Sequence, residues 1–164
     1  MQTKLISAAA LLLAATLSHA ADGKKAAAPI PDNTPILIQA EVGSLDKRVE
    51  VAYVCDSQQG KRNVNAMYGI KDGETAVVQI KVGDQVTPGL WRVMNDTNGK
   101  KQNSYYGEGL TWITDKASPD TLTKANGKIL MQAGKLDGGL PKGDQTILFK
   151  DCKVDSAATK KLNK

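Results

Sequence analysis

The sequence predicts an all-β protein: a small antiparallel barrel of about eight strands with one disulfide, after a cleaved signal peptide and a flexible linker. Three observations predict it. From Arg48 onward, apolar and polar residues alternate over short runs, the period of a half-buried strand. Two-residue turn signals separate the runs, among them Asp72-Gly73, Gly83-Asp84, Asn98-Gly99 and Asn126-Gly127. The two cysteines, Cys55 and Cys152, bracket nearly everything that can fold, and every aromatic residue lies between Tyr53 and Phe149.

The start of the chain reads as an address. Lys4 supplies a positive charge, Leu5 to Leu17 is apolar or small, and Ser18-His19-Ala20 presents small residues where a signal peptidase reads. The run is about 13 residues, short of the ~20 a membrane helix needs. Residues 1–20 are therefore expected to be a cleaved signal peptide. No cysteine follows the cut, so no lipid anchor is expected, and nothing later is apolar enough to span a bilayer as a helix. Export to a periplasm or the outer surface is oxidising, so Cys55 and Cys152 are expected to bond.

Residues 21–46 read as a linker, with Ala26-Ala-Ala-Pro-Ile-Pro31 and Asn33-Thr-Pro35 lacking periodicity. Ile36-Leu-Ile38 could add a short edge strand. The domain proper is placed at 47–152. Val49, Val51, Tyr53 and Cys55 share one face of the first strand, and Val64, Ala66, Tyr68 and Ile70 one face of the second. Ala76, Val78, Ile80 and Val82 follow after Asp72-Gly73. A fourth strand holds Val86, Leu90, Trp91 and Val93, interrupted by Pro88-Gly89, which argues for a bulge or edge. Ser104 to Tyr106 and Leu110 to Thr114 flank Gly107-Glu108-Gly109. Leu122 to Ala125 and Lys128 to Ala133 are expected as strands around Asn126-Gly127. Ile147-Leu-Phe149 leads to Cys152, whose parity matches Leu148 and not its neighbours. The last strand must then be buried on both faces or bulge before the cysteine. Residues 153–164 read as a solvated, disordered basic tail.

Composition narrows the chemistry. The only histidine, His19, sits in the leader, so the mature chain lacks the usual imidazole base and metal ligand, and no metal, cofactor or catalytic residue is expected. Asp72, Glu74, Asp84, Glu108 and Asp115 all sit near turns, where acids are ordinarily solvated. Gly107-Glu108-Gly109 has no following helix to make a phosphate loop. Asn95-Asp-Thr97 matches a glycosylation sequon but reads as a turn. Removing Lys4 lowers the formal +5 of the whole chain by one, and the excess lies in the tail, so nucleic acid is not an expected partner. Trp91 and Trp112 are read as core anchors.

Five motifs occur here in order: Tyr53-Val-Cys55, Gln58-Gln-Gly-Lys61, Met67-Tyr-Gly69, Tyr105-Tyr-Gly-Glu-Gly109 and Ile147-Leu-Phe-Lys-Asp-Cys152. Together they resemble the adhesin complex protein family of Gram-negative bacteria, best known from Neisseria. That family is similar in turn to the bacterial inhibitors of chicken-type lysozyme, small eight-stranded barrels with a disulfide. The resemblance implies two roles: inhibition of host lysozyme by a loop inserted into its active cleft, and exposure as an adhesin at the host cell surface.

Lysozyme cuts glycan with two carboxyl groups in a cleft. An inhibitor need only fill that cleft and satisfy them with cationic or hydroxyl donors. The stretch Asn98 to Gly109 offers a turn, two lysines, a hydroxyl and two tyrosines. Lys100, Lys101, Ser104 and Tyr105 are the expected contacts, with Tyr106 as contact or core. The sequence departs from the lysozyme inhibitors in two places. Thr97-Asn-Gly-Lys100 lacks their serines, and the lysine after Trp112 is displaced to Lys116, which keeps its facing on a strand but moves it ~7 Å along. Both proteins being basic, affinity must come from local fit. The alternatives are an adhesin without inhibition and a periplasmic glycan- or lipid-binding barrel. A hydrophobic-lumen carrier would want a larger barrel with more apolar inward positions.

Overall fold

The structure, a computed structural model, describes residues 39, 40 and 42–164. The signal peptide, most of the linker and the possible strand at Ile36-Leu-Ile38 lie outside the described residues. Every described residue belongs to one compact unit.

Among the described residues, nine strands form one antiparallel sheet: β1 Lys47–Ser57, β2 Gly60–Lys71, β3 Glu74–Val82, β4 Gln85–Val86, β5 Leu90–Arg92, β6 Gln102–Gly107, β7 Leu110–Asp115, β8 Gly127–Asp137 and β9 Leu140–Val154. The order is β2-β1-β9-β8-β7-β6-β5-β3-β4, and β3 also pairs with β2, so eight strands close on themselves and β4 hangs on β3 as a short hairpin. Closure leaves little unpaired edge for another chain to extend.

Alternation sets the early strands. Val49, Val51, Tyr53 and Cys55 are buried on β1, and Val64, Ala66, Tyr68 and Ile70 on β2. Asp72 and Gly73 both take positive φ (49° and 76°), as the two central residues of the tightest hairpin require. Glu108 and Gly109 do the same between β6 and β7 (46° and 83°). Pro88-Gly89 splits the expected fourth strand into β4 and β5, both on the same edge of β3.

The lumen is filled by rings. Tyr53 packs edge-on against Trp112 (5.7 Å between centroids), and Tyr68 lies 5.9 Å from Tyr105. Trp112 Nε1 donates to the Tyr68 hydroxyl at 3.0 Å, and the Tyr53 and Tyr68 hydroxyls share a bond at 3.1 Å. Burial raises both tyrosine pKa values, so these hydroxyls stay protonated and neutral.

The disulfide Cys55–Cys152 joins β1 to β9 across 97 residues. The seam it staples is short: Tyr53↔Val154, Val54↔Lys153 and Asp56↔Lys150. The parity question is answered by bulges. Asp151 takes a positive φ of 50° beside a register shift, and a second shift lies opposite Leu130 and Met131.

Two expectations are corrected. Leu122 to Ala125 is not a strand: Leu122–Lys124 is a 3-10 turn inside the long β7–β8 connection, which buries Ala117, Leu122 and Ala125 in the core. Asn126-Gly127 is accordingly no hairpin turn. The Asn126 carbonyl accepts from the Asp115 amide, and its side chain accepts from Val154 N.

The tail is not disordered either. Ser156–Leu162 forms a helix, α1, with Asp155 capping the amides of Ala157 and Ala158. It packs on β1 where β9 has ended. Asp155 N donates to Ala52 O, Thr159 Oγ1 accepts from Ala52 N at 3.0 Å, and Asn163 both accepts from Glu50 N and donates to Glu50 O. The helix thus offers the edge of β1 the partners that a strand would have supplied.

The linker's last residues are also engaged. Gln39 bridges to Val93, and Asp46 accepts from Lys71 Nζ and the Asp72 amide.

Strand direction defines two ends. The β2–β3 turn, the 93–101 loop, the 116–126 connection and α1 lie at one, which the buried connection closes. The β1–β2 turn, the β3–β4 hairpin, the β6–β7 turn and the β8–β9 hairpin lie at the other. No helix among the described residues is long and apolar enough to cross a membrane.

Candidate functional site

At the closed end, the 93–101 loop is organised by one carboxylate. Asp96 Oδ1 accepts from Asn98 N at 2.7 Å, a side-chain turn two residues on, and Oδ2 accepts from Ser104 Oγ and Gln102 Nε2. Burial pushes the Asp96 carboxyl up, but these three hydrogen bonds, with the Arg92 charge, outweigh it and hold the group below the ordinary aspartate range. Backbone bonds from Gly99 N to Asp96 O and from Lys101 N to Asn98 O complete the turn. The lysines therefore stand on a fixed base.

Lys100 and Lys101 are exposed, as is Lys116, whose amide donates to Lys101 O at 3.3 Å. Lys116 thus lies beside the turn that carries the other two. None of the three pairs with an acid among the described residues. Met94, 62% exposed, lies on the same loop.

The other expected contacts fall inside. Tyr105 is fully buried, its hydroxyl on Thr75 Oγ1 at 2.9 Å and its ring 5.5 Å from the Arg92 guanidinium carbon. It pairs with Trp112 across β6 and β7, and the lumen takes both side chains. Ser104 is buried and committed to Asp96. Tyr106 is buried too, its hydroxyl donating to Gly139 O on the β8–β9 hairpin. Tyr105 and Ser104 are therefore withdrawn as surface contacts, and Tyr106 is structural. Asp96 was missed, although an aspartate two residues before Asn98-Gly99 is a readable turn signal. Trp112 is a core anchor as expected, whereas Trp91 is half-buried and lines a small hollow of about 300 Å³ with Gln39, Ala40 and Val42.

The open end holds a cavity of about 940 Å³ that the sequence did not announce. Ile80, Val82, Leu110, Leu130, Leu148 and Phe149 form its apolar wall. Arg62 and the amides of Gln58, Gln59 and Gln85 stand among its polar lining. The lumen's centre is packed, so the space is a mouth and not a through-channel.

These features define a class: a small, disulfide-stapled antiparallel barrel with a ring-filled lumen, one plugged end and one open end. A family model described as Nm-ACP, the ACP-like domain, matches residues 49–154, more than half of the chain. The chain belongs to that family, the adhesin complex proteins. Among solved structures, it is similar to the Adhesin Complex Protein from Neisseria meningitidis, with 23% identity and a TM-score of 0.48 over 65% of this chain and 99% of that one. No curated protein matches.

Proposed function

We propose that this barrel acts by binding a macromolecule, with no turnover of its own, and that its partner is a chicken-type lysozyme. The observation that carries the reading is the cluster of Lys100, Lys101 and Lys116 on a turn fixed by Asp96. Cationic donors on a fixed turn are what a cleft lined by two carboxyl groups would accept, because little loop freedom is then lost on docking. Family membership supports exposure outside the cytoplasm and an adhesin role at the host surface, through the adhesin named among its relatives. The apolar run before residue 20 supports export.

The test is a turbidity assay of cell-wall lysis with excess protein, alongside co-purification with lysozyme at physiological salt. Inhibition and a complex that survives raised salt are expected, since fit and not long-range attraction must hold it. The variant combining Lys100→Ala, Lys101→Ala and Lys116→Ala should inhibit at least tenfold less with an unchanged melt. Full lysis at large molar excess of the parent protein would remove the lysozyme reading and leave adhesion.

A further inference from the structure

We infer that the open end is a binding site for a single-chain amphiphile with an anionic head, independent of the lysine turn at the opposite end. The apolar part of the 940 Å³ cavity's lining is aliphatic but for Phe149, with its polar residues gathered among Ser57 to Arg62, Gln85, Thr87 and Thr146. A sugar would want aromatic platforms with polar partners, and both tryptophans lie elsewhere. The volume sits at the upper end of the range for pockets that enclose drug-sized ligands, which suits a folded acyl chain.

Charge selects the head. Among the described residues Arg62 is the one ionisable member of the lining, which includes no carboxylate. Gln59 Oε1 accepts from Arg62 Nη2 at 2.6 Å, which holds the guanidinium by the β1–β2 turn. Arg62 forms no ion pair among the described residues, and its fork retains donors for a carboxylate or phosphate. The neighbouring Lys61 is taken by Asp56 at 2.5 Å. The rim itself is apolar and wet: Val86 is 47% exposed and Ile147 45%. Side chains so placed gain by meeting a chain that leaves water. The mouth thus supplies what the packed lumen cannot, so this small barrel does not need a hollow centre to hold an acyl tail.

The probe is hexadecanoate, titrated calorimetrically into the purified oxidised protein below its micellar concentration, with octanoate and hexadecyltrimethylammonium as controls. Saturable binding near one per chain is expected, at least tenfold weaker for octanoate and for the cationic amphiphile. Arg62→Glu should weaken hexadecanoate at least tenfold. The double variant Val86→Glu with Ile147→Glu should abolish binding, and both variants should melt like the parent because all three side chains are exposed. No saturable binding, equal binding of the cationic amphiphile, or undiminished binding by a folded variant would each overturn the assignment. Lysozyme inhibition should be the same in these variants, so failure here and failure of the lysine turn are separately visible.

Discussion

Trp112 lies directly over Gly127. A Cβ added at residue 127 would sit 2.2 Å from the far end of the indole and 2.9 Å from the Cys152 Cβ. The neighbours cannot yield, since Trp112 is fully buried and bonded to Tyr68, and Cys152 is tied to Cys55. Gly127→Ala should therefore destabilise the barrel by about 3 kcal/mol or more, the upper end of overpacking costs. Denaturant melts followed by tryptophan fluorescence would measure it. An alanine variant within about 0.5 kcal/mol of the parent would show that the indole is free to move.

The disulfide should contribute on a larger scale. It closes a loop of 97 residues, and the chain-entropy account assigns such a loop about 4–5 kcal/mol. The β1–β9 seam has few backbone pairs of its own. Reduction with thiol blocking should lower the melting temperature by ten degrees or more, and hydrogen exchange should rise first at Tyr53–Asp56 and Lys150–Val154. Unchanged melting would show that the other pairings hold the barrel without the bond.

How legible this was in the sequence depends on what each segment faces. β1, β2 and β3 separate a lumen from solvent, so Val49 to Val82 alternate and the strands could be read. The β8–β9 hairpin has no such contrast: Lys135 and Leu136, like Lys142 to Ile147, are exposed on both faces, so no alternation marked it. Ser104 and Tyr106 lie on the outward face of β6, yet both are buried because Asp96 and Gly139 reach over them. Neighbours distant in sequence decided that, and no local pattern records them. Gly127 looked like a turn residue because Asn-Gly favours turns, but its reason is the indole above it. The lysine turn was legible as a turn, and the proximity of Lys116 to it was not. The cavity was hidden because Val82, Leu110 and Phe149 come from three separate strands.

Helix α1 yields a prediction about association. It covers the stretch of β1 that β9 leaves unpaired, through Ala52 and Glu50. Thr159→Val keeps the shape but strips both bonds to Ala52, leaving a buried amide unsatisfied at a cost of about 1–3 kcal/mol. Deleting residues 156–164 bares the edge but for the Asp155 amide on Ala52 O. That variant should melt several degrees lower and self-associate with rising concentration in sedimentation, as an open strand edge invites. A monomeric truncation with parental stability would mean that the helix is dispensable to the edge.

The Asp96 turn should be acid-sensitive, with a sign that can be worked out. Its carboxyl is held below the ordinary aspartate range in the fold, so ionisation favours the folded state. That contribution is complete above the ordinary aspartate range and is lost as pH falls through the folded value. In Asp96→Asn an amide NH₂ would face the two donors, Ser104 Oγ and Gln102 Nε2, that now share Oδ2. The variant should be about 1–2 kcal/mol less stable than the parent at pH 7. The gap should narrow as pH is lowered below 3.8, because the parent then loses its carboxylate too. Melts of both proteins between pH 7 and pH 2.5 give the difference directly, free of the other acids, which titrate alike in each. A gap that stays constant across that range would show that charge at Asp96 does not hold the turn, and the rigid base proposed for the three lysines would have to come from the backbone bonds at Gly99 and Lys101 alone.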